Sequence, residues 1–138
     1  MKIIALAGKL GAGKDTFAII ATKHFPPEVK IAIGSFSNIL KDVLKAEGRE
    51  ASRENLQSLG ASINRATLIE EQHKRIKASR ADIFFIPGMR TSEDVDFLKS
   101  LGGILIAVHS NDPATRYQRI KNRQQKPGEK ETSWEEFL

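Results

Sequence analysis

Residues 2–16 read Lys2-Ile3-Ile4-Ala5-Leu6-Ala7-Gly8-Lys9-Leu10-Gly11-Ala12-Gly13-Lys14-Asp15-Thr16, an apolar strand pattern that runs straight into a glycine-rich turn closing on a lysine. Without a Cβ, Gly8, Gly11 and Gly13 let the backbone turn tightly and aim successive N–H groups at an anion, and Lys14 adds a full charge toward terminal phosphates. A helix over residues 16–23 would bring its positive end to the same anion. The stretch is a phosphate-binding loop, with Gly8, Gly11, Ala12, Gly13, Lys14, Asp15 and Thr16 as its contact residues. One position departs from the usual motif, in which a Ser or Thr hydroxyl after the lysine binds Mg²⁺. Here Asp15 takes that place and Thr16 follows, so Asp15 is the candidate metal contact, through Mg²⁺.

Working outward, Phe17, Ile20 and Ala21 recur at helical spacing, and Pro26-Pro27 stops that helix before an extended run from Val29 to Ile33. Gly34-Ser35-Phe36-Ser37 is a short loop with Ser37 as the expected N-cap, and Ile39, Leu40, Val43 and Leu44 make the apolar stripe of a helix ending near Gly48. A long helical stretch over residues 52–80 carries Leu56, Leu59, Ile63, Ala66, Ile69, His73 and Ile76 on one side, with a break expected near Gly60. Asp82 to Ile86 reads as a buried strand ended by Pro87-Gly88, Ser92 to Leu101 as a helix, and Ile104 to Val108 as another continuous apolar strand. Asp112-Pro113 is a cap followed by proline at the first helical position, launching a helix to about Arg123. Strands alternating with helices imply an α/β fold with a parallel sheet, helices on both faces, and ligands at the carboxyl ends of the strands.

Composition narrows the classes. At 138 residues with 40% hydrophobic content, the chain suits one domain spanning residues 1–138. Its 22 Lys and Arg against 17 acidic residues give a net charge of +5, which suits a polyanionic small ligand as well as nucleic acid. Trp134 and the scattered phenylalanines lack the aromatic-basic interleaving of a nucleic-acid platform, which makes that partner the weaker reading. The absence of cysteine excludes disulfides and thiolate metal sites and agrees with a cytoplasmic location. The apolar start is too short for a signal peptide or membrane span. At the other end, Ser133-Trp134-Glu135-Glu136 opens a helix that Leu138 cuts off, so a truncated C-terminal part is expected.

Transfer of a phosphoryl group requires cations placed around phosphates, together with Mg²⁺. Arg90 follows a strand end by a few residues and should sit at the rim of the sheet. Arg116, Arg119 and Arg123 fall at i, i+3 and i+7, a basic face set opposite Tyr117 and Ile120. Lys41, Arg53 and Arg65 are candidates to receive the phosphate of a second substrate. His24, His73 and His109 have no ligand-like spacing.

Several segments together resemble the P-loop nucleoside and deoxynucleoside monophosphate kinases, and within them a dephospho-coenzyme A kinase-like branch. The loop from Gly8 to Thr16 resembles their GxxGxGKxT form, and Ser35-Phe36-Ser37-Asn38-Ile39-Leu40-Lys41 their substrate helix. Asn55-Leu56-Gln57-Ser58-Leu59-Gly60 is similar to a Leu-Gln-x-Leu-Gly segment, and Gly88-Met89-Arg90-Thr91-Ser92-Glu93-Asp94-Val95 to a Gly-x-Arg-Ser-x-Glu-Glu-Val run. Thr115 to Ile120, with Arg123 and Trp134-Glu135-Glu136-Phe137, resembles an arginine-bearing lid.

The resemblance implies a P-loop NTPase fold with a sheet in the order 2-3-1-4, substrate-binding helices over 34–80 and a lid-like segment over 113–132. It implies ATP and Mg²⁺ as cofactors, and a small-molecule nucleotide as acceptor. Lys14, Arg90, Arg119 and Arg123 would be the catalytic cations, with Thr16 on the α-phosphate, and Ser35, Lys41, Arg65 and Arg90 on the acceptor. Relatives carry an acidic residue where Pro87 stands, and continue past the lid through a helix and a further strand.

The leading expectation is an ATP-dependent phosphotransferase acting on a nucleoside monophosphate or similar nucleotide. A dephospho-coenzyme A kinase and a nucleotide-binding protein without turnover are the alternatives. With no further strand, Ile104 to Val108 would be an apolar sheet edge, so a homodimer is a possible assembly.

Overall fold

Alternation along the strands sets the architecture. In β1 (Lys2–Ala7), Ile3 and Ala5 point to one face of the sheet and Ile4 and Leu6 to the other, since successive side chains of a strand alternate. The computed structural model describes residues 1–9, 12–109 and 112–123, apart from the side chain of residue 123. Along these run α1 (Lys14–Lys23), β2 (Ile31–Ile33), α2 (Phe36–Ala46), α3 (Arg53–Ser62), α4 (Arg65–Ser79), β3 (Ile83–Pro87), α5 (Ser92–Ser100), β4 (Ile104–Ala107) and α6 (Pro113–Arg123). The four strands form one parallel sheet in the order β2-β3-β1-β4, as expected from the sequence.

The two faces are unequal. On one, Ile3, Ala5, Phe84 and Ile86 pack against Phe36, Ile39, Leu40 and Leu44 of α2, Leu56 of α3, Leu68 and Ile76 of α4 and Leu98 of α5. On the other, Leu6, Ile83 and Phe85 meet Ala18 of α1. Each fully buried Leu, Ile or Phe stabilises the fold by about 1.5–3 kcal/mol, so the α2–α5 face carries most of the hydrophobic stabilisation. β3 is buried at all five positions because β1 and β2 flank it and helices cover it. β4 lies at the sheet edge among the described residues, with Ile104 55% and Leu105 45% exposed. No helix among the described residues is long and apolar enough to cross a membrane.

Several boundaries differ from the sequence expectation, each for a local reason. Helix α1 begins at Lys14 rather than residue 16 because Gly13 takes φ 101°, a left-handed conformation that suits glycine and lets the helix start at once. Its buried residue is Ala18, whereas Phe17, Ile19 and Ile20 are exposed. The N-cap of α2 is Ser35, not Ser37: Ser35 is extended and its hydroxyl accepts the Asn38 N–H at 3.1 Å. The helical break falls at Ile63-Asn64, not at Gly60, because the Asn64 side chain accepts the Ala66 N–H at 2.9 Å and starts a new helix. That restart resets the helical phase. Leu68, Gln72 and Ile76 therefore face the core, while His73 is half-buried with its ring edge-on to Phe97.

Pro87 belongs to β3 instead of ending it. Ile83 N–H points to Lys30 of the β2 side and Gly88 N–H to Leu6 of β1. By this alternation the Pro87 nitrogen faces the β2 side, where the strand has already finished at Ile33, and no ladder bond is lost. The cap expected at the last helix is present: Asp112 accepts the Ala114 N–H at 3.0 Å and the Thr115 hydroxyl at 2.6 Å, with Pro113 first in α6. These bonds hold the Asp112 carboxyl below the usual Asp value.

Candidate active site

The carboxyl ends of β1, β2 and β3 open onto one cleft of about 840 Å³. Each strand delivers a different piece to it. β1 runs into the glycine-rich loop and α1, which contribute Ala12, Gly13, Lys14 and Asp15. β2 leads into the N-terminus of α2, which contributes Ser35, Asn38 and Lys41. β3 leads through Pro87 and Gly88 to Arg90 and Thr91, while α3 and α4 supply Arg53, Gln57 and Arg65.

The loop end is shaped to receive an anion. Gly13 caps α1 without a side-chain hydrogen bond, and the start of the helix, whose positive end favours an anion, lines the cleft. Gly8 has a second, steric reason to be glycine: a Cβ there would stand 2.4 Å from the Val108 carbonyl oxygen at the end of β4. The Lys14 ammonium donates to the Gly8 carbonyl at 2.7 Å, so the lysine spans the loop from one glycine to the other. Across from it, the Arg119 guanidinium of α6 donates to the Ala12 carbonyl at 3.4 Å. The last described helix thereby contacts the loop.

Another part of the lining, Arg65, Arg90 and Thr91, is organised by a buried carboxylate that sequence reasoning did not single out. Asp94, fully buried in the first turn of α5, accepts Arg65 Nε at 2.8 Å and Arg65 Nη2, together with the Arg90 N–H at 3.0 Å and the Thr91 N–H at 3.2 Å. It also completes a reciprocal capping box with Thr91. Burial pushes its pKa up, but the hydrogen bonds and charge of Arg65 and the Arg90 and Thr91 N–H groups outweigh that and bring the carboxyl below the usual Asp value. The Arg65 guanidinium lies 4.7 Å from the centroid of the Phe36 ring, which supports it from α2. The spacing Thr91-x-x-Asp94 is the signal in the sequence that could have revealed this carboxylate.

The residues expected from sequence are therefore gathered only in part. Ser35, Lys41, Arg65 and Arg90 line the cleft with Ala12, Gly13, Lys14 and Asp15, and Arg53 joins them. Gly8, whose carbonyl accepts from Lys14, and Thr16, an exposed residue of α1, do not line the cleft. Gly11 and the Arg123 side chain lie outside the described residues, as does everything from residue 124 onward, including Trp134 and the end of the lid-like segment. The basic face expected on α6 is corrected: Arg116 is 7% exposed and Ile120 fully buried, so they share the inner side of the helix, one turn apart. Arg119, one step round, reaches the loop instead. Asp15 is the one acidic side chain among the described residues that line the cleft.

No family model matches the chain. A UPF0200 protein from Hyperthermus butylicus is 30% identical over 146 residues, an alignment that covers 98% of this chain and 71% of that protein. A UPF0200 protein from Methanocaldococcus jannaschii is 29% identical over 145 residues, covering 100% of this chain and 70% of the relative. Among solved structures, shikimate kinase from Bacteroides thetaiotaomicron is similar in fold, with a TM-score of 0.53 at 15% identity over 98% of this chain and 72% of that one. The glycine-rich loop between β1 and α1, the parallel sheet and these similarities together make the chain a member of the UPF0200 family, built on a P-loop NTPase fold.

Proposed function

We propose that the chain is an ATP-dependent phosphotransferase whose acceptor is a small phosphorylated nucleotide, such as a nucleoside or deoxynucleoside monophosphate. The carrying observation is one cleft lined both by the phosphate-binding loop and by Lys41, Arg53, Arg65 and Arg90. Two anionic groups held in one hollow bring a donor and an acceptor together as transfer needs, and the cations offset the charge of the transferring group. In this reading Lys14 and the N–H groups at the start of α1 hold the ATP phosphates, Arg119 stands at the loop to meet the transferring group, and Arg65 and Arg90 hold the acceptor.

The donor set also fits Mg²⁺. This ion takes one or two carboxylates plus phosphate oxygens and water, and Asp15 offers one carboxylate beside Lys14. When bound, the ion would screen the charge of the phosphates. A dephospho-coenzyme A kinase, as the finer family likeness suggests, is the variant of this reading with a larger acceptor.

One observation favours a second reading, a nucleotide-binding protein without turnover: buried Pro87 lines the cleft at the end of β3, where related kinases carry a carboxylate. Incubating the protein with ATP and Mg²⁺ against a panel of nucleoside monophosphates and dephospho-coenzyme A, followed by phosphorus NMR, separates the two. ADP formation that depends on one acceptor supports the kinase. ATP binding with no acceptor-dependent ADP across the panel supports the binder.

A further inference from the structure

Asp94 contacts two arginines that line the cleft, Arg65 and Arg90, by different means. It takes the Arg65 side chain through Nε and Nη2, one edge of the guanidinium fork, and it takes the main chain of Arg90 and Thr91 through their N–H groups. The Arg65 fork keeps Nη1 and the outer hydrogen of Nη2 for other acceptors, and the residue lines the cleft. Phe36 stacks on its guanidinium, so the head group is fixed from α2, α4 and α5 together. The Arg90 loop is tied at its other end as well, where the Gly88 N–H donates to Leu6 of β1, the strand that enters the phosphate-binding loop.

Asp94 itself is fully buried and cannot touch a ligand in the cleft. A carboxylate at the heart of a basic site would oppose an anionic ligand if it faced that ligand. From behind, it neutralises part of the Arg65 charge while fixing the direction of the hydrogens that remain.

We propose that Asp94 is the positioning residue of an acceptor-phosphate site, holding the Arg65 fork and the Arg90 loop on one wall so that both face the same phosphate monoester. This rests on the reading of the cleft given above, and deepens it by naming what orders the acceptor side. The pair Arg65–Asp94 links α4 to α5, so the site is assembled only when those two helices are docked.

The test uses the full chain and calorimetric titration with a nucleoside 5′-monophosphate, in the presence of a non-hydrolysable ATP analogue, and separately with the analogue alone. In Asp94→Asn, held well below its own melting midpoint, monophosphate affinity should fall by about tenfold or more, the scale of one misplaced charge-assisted hydrogen bond. Affinity for the ATP analogue should stay at the parental value, and Asp94→Glu should recover most of the monophosphate affinity because it restores the charge.

Equal losses for both ligands, or parental monophosphate affinity in folded Asp94→Asn, overturn the proposal, since a carboxylate that only stabilises the fold would behave in that way. Should Asp94→Asn fail to fold, Arg65→Lys serves: it keeps the charge and gives up the fork, and parental monophosphate affinity in it refutes the assignment. A parent chain that binds the analogue but no monophosphate also refutes it, while leaving nucleotide binding intact. A parent that binds monophosphate through Asp94 but no analogue retains this site and removes the kinase reading.

Discussion

Replacing Arg65 by Ala strands a carboxylate in the protein interior, and the size of the resulting loss can be worked from its surroundings. Asp94 is fully buried, and its side-chain partner Arg65 is 22% exposed, so neither charge is well screened by water. Removing one member of a buried ion pair destabilises by about 3–5 kcal/mol. The Arg90 and Thr91 N–H groups stay on the carboxylate, which places the expected loss near the lower figure, about 3 kcal/mol. At this chain length that corresponds to a drop in Tm of about 10 °C, from about 3 °C per kcal/mol.

The pH dependence has a definite sign. The folded Asp94 carboxyl lies below its ordinary value, so its contribution is present above the unfolded pKa and is lost as pH falls through the folded one. Without Arg65 its hydrogen bond and charge no longer counter the burial, so the carboxyl moves up from its parental position. The variant has less of this contribution to lose than the parent, so the gap between the two narrows as pH falls through the titration of Asp94. Urea unfolding of both chains from neutral pH downward measures this. Arg75→Ala is the control: its partners Asp42 and Glu71 are exposed, and its loss should stay below about 1 kcal/mol. An Arg65→Ala loss no larger than that of Arg75→Ala, or a gap that widens in acid, would refute the reasoning.

Four further outcomes are expected. Lys14→Ala should abolish ATP binding with an unchanged circular dichroism spectrum, because its ammonium reaches across the loop to the Gly8 carbonyl at the cleft and not into the apolar core. Arg119→Ala should lower turnover far more than ATP affinity in steady-state kinetics, since a cation placed at the loop acts chiefly on charge that develops during transfer. Gly103→Ala should destabilise by about 1–3 kcal/mol in urea unfolding, because its Cβ would lie 2.2 Å from Leu98 Cδ1 and 3.2 Å from the Ile3 carbonyl oxygen. Pro87→Asp should raise Mg²⁺-dependent phosphoryl transfer by restoring a strand-end carboxylate in the cleft; unchanged transfer at varied Mg²⁺ would show that Pro87 is not what limits the site.

Much of the fold was legible in the sequence because its signals are local. The strands from Ile3 to Leu6 and from Ile83 to Ile86 are continuous apolar runs, the glycines between Ala7 and Lys14 mark a tight turn by their backbone freedom, and Asp112-Pro113 is a helix start by its own chemistry. Alternation of strands with helices pointed to a parallel sheet, and the resemblance of the glycine-rich loop and its neighbours to P-loop kinases supplied the order β2-β3-β1-β4 that the structure shows. Local competition between caps was not legible. Ser35 and Ser37 are equivalent as residues, and Gly60 is a plausible break, but the backbone chose Ser35 and Asn64 because their side chains found N–H partners there.

Of the candidate site, the sequence by itself determined the phosphate-binding loop, where backbone chemistry and one lysine are contiguous in the chain. Which cations share a cavity with it was decided by tertiary structure, since Lys41, Arg65 and Arg90 come from three separate elements and each alone reads as surface charge. The pairing of Arg65 with Asp94 spans 29 residues, and the inward turn of Arg116 depends on what α6 packs against. A charged side chain's meaning is set by its desolvation and its partner, and both exist only after helices have docked on the sheet.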